Sequence, residues 1–386
     1  MHNRFCSFPF HSTLIESVQG QTSMRPCCLY NQKLEYPTVK DFFNSNEMQS
    51  LRSEFKQDSN VLPNGCARCN HEEKLGINSY RINSAKTFEG HYNVNNPELK
   101  FVDLDIGYVC NMSCYMCLPH VSSGLAAEHK ALGWINEVRK IDDQTHILNA
   151  LYNLPSTVES INFTNGEFFL EKVADKILDF CIERNIRISF STNASYLRDD
   201  QLEKLYRCKT AIAVSIDGTE DLYNIMRYPS SWQQFNEVFL KLKSVPKKEY
   251  FVLRFVAQNL NIFGLIPVLK FGYKHKINTT VSLVHNNLWL LWSALPDSDR
   301  HNLSIHLQKD LDQNQKFLTK AHSAMIQNYI DSINTTNYNK KHAGILIDKI
   351  SKIWAYRNTD YNLYQSIYPE FYSLVSQQVK LIRGAV

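Results

Sequence analysis

The sequence has no apolar run near the ~18 residues that a membrane-spanning helix needs. The best candidate, residues 288–295, is short and holds two tryptophans. It also lacks any run of five or six basic residues, and its formal charge of +4 is mild. Neither a membrane nor nucleic acid is therefore expected as a partner. The opening stretch, Met1 to Phe10, lacks the basic-then-apolar pattern of a secretory signal, so a cytoplasmic location is expected. Internal repeats and low-complexity tracts are absent. Cysteine is absent too, from everything after Cys208. The ten cysteines crowd towards the N-terminal part of the chain: Cys6, Cys27, Cys28, Cys66, Cys69, Cys110, Cys114, Cys117, Cys181 and Cys208. A reducing compartment argues against a disulfide framework and for metal binding or catalysis.

A chain of 386 residues, 44% of them hydrophobic, can bury a sizeable core and carry appendages around it. Between residues 98 and 290, short β-rich runs alternate with amphipathic helical patterns. The runs are Phe101–Ile106, Val158–Thr164, Ile186–Thr192, Thr210–Ile216, Tyr250–Ala257 and Ile277–Val284. The clearest helical face carries Leu170, Val173, Ala174, Ile177, Leu178 and Cys181. Such alternation predicts an α/β fold with a parallel sheet, read as a partial (β/α)6 barrel, with an open doubly wound sheet as the alternative. Residues 1–97 form a cysteine-rich segment with one helix over Val39–Phe55. Residues 291–386 read as a helical, tyrosine-rich region, in which Tyr356, Tyr361, Tyr364, Tyr368 and Tyr372 are expected to serve packing.

Cys110, Cys114 and Cys117 follow the first core strand at spacing C-x3-C-x2-C. Thiolates are the usual ligands of iron–sulfur clusters, and a cubane takes one ligand per iron. Three closely spaced cysteines hold three irons and leave the fourth open, as a catalytic metal site requires. Structural zinc, completed by His120, is the competing reading. The later strands end in polar or glycine-containing signatures: Thr164–Glu167, Ser191–Asn193 and Ser215–Gly218. Arg254 and Gln258 then lie on the fifth, with His285 and Asn286 after the sixth. Each alone is ordinary turn chemistry. Together they line the strand ends where parallel barrels gather their ligand groups.

On these residues the core resembles the radical S-adenosylmethionine (SAM) superfamily, whose hallmark is the C-x3-C-x2-C loop. The resemblance covers roughly residues 98–290. It implies a [4Fe–4S] cluster on Cys110, Cys114 and Cys117, with Met116 near the adenine of SAM. Thr164-Asn-Gly-Glu167 is similar to the family's Gly-Gly-Glu-Pro motif, which implies that Gly166 and Glu167 bind SAM, the glutamate meeting its amino group. Here Asn165 replaces the first glycine and Phe168 the proline. Thr192 and Asn193 match a ribose-side turn, with Ala194 in place of glycine. Ser215, Asp217 and Arg227 match the element that clamps the SAM carboxylate and ribose. The implied activity is reductive cleavage of SAM to a 5′-deoxyadenosyl radical, which takes hydrogen from a small metabolite, such as a sugar or nucleoside, or from a peptide. Flavodoxin or ferredoxin is the implied electron donor.

In the N-terminal segment, Cys6 with Pro9–Phe10, Gly20, Pro26–Cys27–Cys28, Cys66-x2-Cys69 and Arg81 resemble a half-SPASM (twitch) module. That implies an auxiliary iron–sulfur cluster, of [4Fe–4S] type, on Cys6, Cys27, Cys66 and Cys69; spacing alone leaves zinc equally open. Cys28 is read as a spare, Cys181 as a small buried hydrophobe and Cys208 as inert. No separate leader-binding domain is evident, which favours a metabolite over maturation of a ribosomal peptide. The reading from another class is a non-catalytic binding protein stapled by zinc or a cluster.

Overall fold

The computed structural model describes residues 4–18, 21–57, 61–74, 78–140, 144–358 and 361–384. Gly20 lies outside them. Among the described residues, eight strands form a single sheet: β1 (Ser12–Val18), β2 (Gln21–Arg25), β3 (Phe101–Asp105), β4 (Ser160–Phe163), β5 (Arg187–Thr192), β6 (Thr210–Ser215), β7 (Lys248–Ala257) and β8 (Asn278–Leu283). Their order is β2-β1-β3-β4-β5-β6-β7-β8. Every neighbouring pair is parallel except the β1–β2 hairpin.

That order decides between the two architectures. From β1 through β3 to β8, each new strand is added on the same side of the last. Right-handed crossovers then put every connecting helix on one face of the sheet. A doubly wound sheet needs a reversal of strand order, and there is none. The result is a partial barrel with the helices outside.

The strand sequences match this split. Val102, Leu104, Ile161, Phe163, Ile188, Phe190, Ile212, Val214, Leu253 and Phe255 alternate onto one face and are buried in the apolar core. Much of the alternate register is polar or small (Asp103, Asp105, Asn162, Ser189, Ser191, Ala211, Ser215 and Arg254), with Phe101, Tyr250, Val252 and Val256 its apolar members. Asn162 Nδ2 donates to Asp103 Oδ1 across neighbouring strands at 2.8 Å, and Arg254 Nη1 to Ser191 Oγ at 2.9 Å. Closed barrels usually fill this inner face with branched aliphatic residues. Here it is left open to polar chemistry.

The six expected core strands are β3 to β8, and the N-terminal segment adds β1 and β2 to them. β1 (Ser-Thr-Leu-Ile-Glu-Ser-Val) carries no apolar alternation, and its parallel pairing with β3 is a long-range contact. One expectation is corrected: the helix read over Val39–Phe55 is two helices, Val39–Phe43 and Asn46–Lys56. Asn44 ends the first and Ser45 caps the second, its Oγ accepting from Met48 N at 3.2 Å.

The C-terminal region is helical as expected, with long helices Asp297–Gln313, Lys320–Thr335, Lys340–Arg357 and Pro369–Gly384. Its tyrosines do pack. The Tyr364 and Tyr368 hydroxyls donate to the carbonyls of Leu260 (3.0 Å) and Asn259 (2.6 Å), just beyond β7. Trp354 stacks on Tyr361 at 4.1 Å, whereas Tyr356 is exposed. No helix among the described residues is long and apolar enough to cross a membrane.

Candidate active site

The cysteine loop runs from the C-terminal end of β3 into the helix Ser123–Ala131, whose first turn holds it. Ser122 caps that helix, accepting from Leu125 N at 3.2 Å, and its hydroxyl donates to Met112 O at 2.6 Å. Ser123 Oγ accepts from Cys110 N (3.0 Å) and donates to Cys110 O (3.1 Å). A Cβ on Gly124 would lie 2.9 Å from Met112 O, so only glycine lets the loop approach this closely.

The three thiols of this loop are near enough to shift one another. Burial pushes the Cys110 thiol up to about 12. The Cys114 thiol is lowered to about 7, first by its hydrogen bond with Cys117, then by the Arg227 guanidinium beside it. Cys117 is pushed well up by the same hydrogen bond and by burial. Two N–H donors reach the sulfurs: Asn193 Nδ2 lies 3.8 Å from Cys110 Sγ, and Arg227 Nη1 lies 3.7 Å from Cys114 Sγ.

The loop after β4 crosses directly over these cysteines. Asn165 takes the left-handed conformation (φ 62°) that the missing glycine would favour, which asparagine tolerates. Gly166 follows at φ 60°, where a Cβ would meet Val109 O at 2.8 Å. Glu167 N then donates to Val109 O at 2.7 Å, tying this loop to the cysteine loop. Ala194, at φ 53°, likewise keeps the conformation of the glycine it replaces.

Glu167 is buried, and its carboxylate accepts from Thr192 Oγ1 and from Asn193 N, both at 2.7 Å. Burial raises its carboxyl to about 7 in spite of these bonds. A carboxyl raised on folding costs nothing below its unfolded value near 4.5. The cost then grows as pH rises, and is complete above about 7. We therefore expect Glu167→Gln to gain stability on the parent between pH 4.5 and 7, by up to about 3 kcal/mol, and then to level off. Urea denaturation of cluster-free protein from pH 5 to 8 checks this; a pH-independent difference would contradict it. A cationic group brought against Glu167 would relieve the same cost.

Asp217 and Arg227 form a buried ion pair, with Asp217 Oδ1 also accepting from Val256 N at 2.8 Å. Arg227 thus turns both Nη groups to Asp217 and Cys114, while its Nε is buried without a partner. Both side-chain amide atoms of Gln258, at the end of β7, are also buried without partners. Ser215 and Arg254 are paired positions on β6 and β7, and Arg254 is exposed. Met116 is half-buried, and its carbonyl accepts from Asn287 Nδ2 at 3.5 Å. His120 is exposed.

Sequence reasoning missed three contributors. Asp103 and Asp105 face the inner side of β3, and burial raises both carboxyls, Asp105 to about 6. The alternation Phe-Val-Asp-Leu-Asp carries that signal. Arg357, from the C-terminal helix Lys340–Arg357, pairs with Glu128 through two 2.9 Å bonds and donates to Ser113 O inside the cysteine loop. Nothing in the local sequence marks it.

In the N-terminal segment, the thiols of Cys6, Cys27, Cys66 and Cys69 act on one another electrostatically. Burial, then the neighbouring Cys28, pushes Cys27 to about 12; burial, then Cys27 and Cys69, pushes Cys66 to about 12. Arg81 holds the segment together, donating to Phe5 O at 2.5 Å and pairing with Glu73 at 2.7 Å. Cys28 is exposed; Cys181 and Cys208 are buried side by side. Among the described residues, no three His, Cys, Asp or Glu side chains surround a single metal-ion position.

Residues 104–257 match the family model of the Radical SAM superfamily. Over these residues the chain is similar to that superfamily. The match starts within β3, ends with β7 and contains the three cysteines, the Glu167 loop and the Asp217–Arg227 pair. An uncharacterized protein of Methanocaldococcus jannaschii is 25% identical over 127 residues, which is 32% of this chain and 40% of that protein. Among solved structures, Streptococcus suis SuiB bound to its precursor peptide SuiA is 16% identical, with a TM-score of 0.39 over 73% of this chain and 63% of SuiB. Native anSMEcpe with bound AdoMet and a peptide is 14% identical, with a TM-score of 0.38 over 66% of this chain and 64% of that one. The chain thus spans less than two thirds of the length of each of these proteins.

The donor set of the cysteine loop fits an iron–sulfur cluster. Three thiols share one loop, and two N–H groups are directed at their sulfurs, the outer contacts that thiolate-held clusters use. A cubane gives each iron its own thiolate, so its ligands need not converge on one point as those of a zinc ion do.

Proposed function

We propose that this chain reductively cleaves SAM at a [4Fe–4S] cluster on Cys110, Cys114 and Cys117 and uses the resulting radical on a peptide or small-metabolite substrate. The observation that carries this is the convergence of the three-cysteine loop with Glu167, Thr192 and Asn193 at the C-terminal mouth of the sheet. Cluster and SAM together supply cleavage of the sulfur–C5′ bond and a 5′-deoxyadenosyl radical that abstracts hydrogen.

The protein's own residues bind, orient and exclude water. The buried Glu167 carboxylate faces the SAM amino group, and Gly166 lets the backbone approach. Thr192 and Asn193 fix that carboxylate from below and serve the ribose side, with Met116 at the adenine. Ser215 belongs to the carboxylate end of SAM. Arg227 was assigned there by motif, but both of its Nη groups are engaged elsewhere. Arg254, beside Ser215 and exposed on the inner face, has only a hydroxyl partner, Ser191 Oγ on Nη1, and is therefore assigned the carboxylate. A planar fork gives that group two parallel charged hydrogen bonds. The polar inner face, with Asp103 and Asp105, receives the substrate. An electron donor of the flavodoxin or ferredoxin kind completes the cycle.

Anaerobically reconstituted protein, given dithionite and SAM, is expected to turn brown and release 5′-deoxyadenosine. Colourless protein with bound zinc and no nucleoside product would overturn the proposal.

Residues 1–97 are proposed as an auxiliary-cluster module with ligands Cys6, Cys27, Cys66 and Cys69, ahead of the radical SAM core (98–290) and the helical region (291–386). Two clusters imply about eight irons and eight sulfides per chain. Cys66→Ala with Cys69→Ala should lower both by about half, since a closed site does not hold on two ligands. Parental iron in the double variant would refute the second cluster.

A further inference from the structure

The buried pair of Asp217 and Arg227 has a geometry that SAM recognition does not require. Arg227 Nη2 meets Asp217, and Nη1 points at Cys114 Sγ, 3.7 Å away. Asp217 in turn is held from β7 and beyond: its Oδ1 accepts from Val256 N at 2.8 Å, and its carbonyl from Asn261 Nδ2 at 3.2 Å. Neither residue is free to swing away, for both are buried. One positive and one negative charge therefore sit, buried, beside Cys114; Arg227 also acts on Cys117, and Arg357 is a second cation acting on Cys114.

We propose that Asp217 and Arg227 are a matched charge pair that sets the reduction potential of the cluster held at Cys114. The inference rests on the function proposed above. A hydrogen bond to a ligand sulfur withdraws electron density, and a nearby positive charge favours the added electron; both raise the potential. A nearby carboxylate lowers it. In a buried site these effects are strong, because little water screens them. Arg227 pulls the potential up and Asp217 holds it down, so the two act as positioning and tuning residues with opposite signs.

The test is an EPR-monitored redox titration of reconstituted, SAM-free protein, with iron content measured alongside. Asp217→Asn leaves the guanidinium uncompensated and should raise the potential. Arg227→Met combined with Asp217→Asn removes both charges and the sulfur hydrogen bond without leaving a buried ion unpaired, and should lower it. Each shift is expected at about tenfold in the reduction equilibrium, ~59 mV for one electron. Opposite shifts support the proposal. Parental potentials, or shifts of the same sign, overturn it. If the double variant holds no cluster, Asp217→Asn alone decides: a rise supports the proposal and an unchanged potential overturns it. A purely structural pair would change iron content and leave the potential of the remaining clusters where it was. A parent chain that takes up no cluster would instead refute the proposed function, so the two failures are distinguishable.

Discussion

Cys114→Ala is expected to abolish SAM cleavage. The other two cysteines are half-buried, whereas Cys114 is buried and sits at the centre of the loop's contacts. Cys117 hydrogen-bonds to it, Arg227 donates to it, and it lies near enough to Cys110 to raise that thiol. Removing its sulfur takes away one iron's ligand and leaves Arg227 facing an apolar methyl. The backbone that shapes the loop is held by Ser122, Ser123 and Tyr228 O, none of which the change touches. The fold should therefore survive. In anaerobic assays with dithionite and SAM, the parent should release 5′-deoxyadenosine and the variant none above background, with core-cluster iron lost in parallel. Circular dichroism should remain parental. Undiminished 5′-deoxyadenosine would remove Cys114 from the site.

The second large effect is expected far away in sequence. Arg357 and Glu128 form a buried bidentate ion pair, their side chains only 1% and 3% exposed. The guanidinium also lies over the rings of Tyr115 and Tyr228, at 4.7 and 4.6 Å, and donates to Ser113 O. Arg357→Ala would strand the Glu128 carboxylate in the interior, a loss of about 3–5 kcal/mol in comparable buried pairs. Against total stabilities of about 5–15 kcal/mol that is a large share. Arg357→Met with Glu128→Gln removes both charges and should recover most of it. Denaturant midpoints measure the difference. Because Arg357 binds the carbonyl of Ser113, next to Cys114, the single variant should also lose iron faster on dilution. A double variant as unstable as the single one would mean that the contacts with Tyr115 and Tyr228, and not the stranded charge, dominate.

The sequence alone was enough to locate the six core strands, the cysteine loop and the polar strand ends. Their information is local: apolar alternation marks a strand, and a C-x3-C-x2-C spacing closes within one turn of chain. Phe168 and Ala194 depart from the motif residues and still serve the fold, for reasons a motif cannot express. Phe168 stacks on Phe190 at 5.4 Å inside the core, and Ala194 keeps a positive φ because its neighbours are fixed by hydrogen bonds.

What only the tertiary structure decided is which charge faces which. By sequence, Arg227 lies twelve residues after Ser215 and is matched by resemblance to the clamp on the SAM carboxylate and ribose. Folding placed it between Asp217 and Cys114 and left Arg254 exposed beside Ser215. The pairing of β1 with β3, and of Arg357 with Glu128, joins segments separated by scores of residues. No periodicity records such contacts, because they follow from burial: an ionised group leaves water only where a partner waits, and the fold supplies that partner.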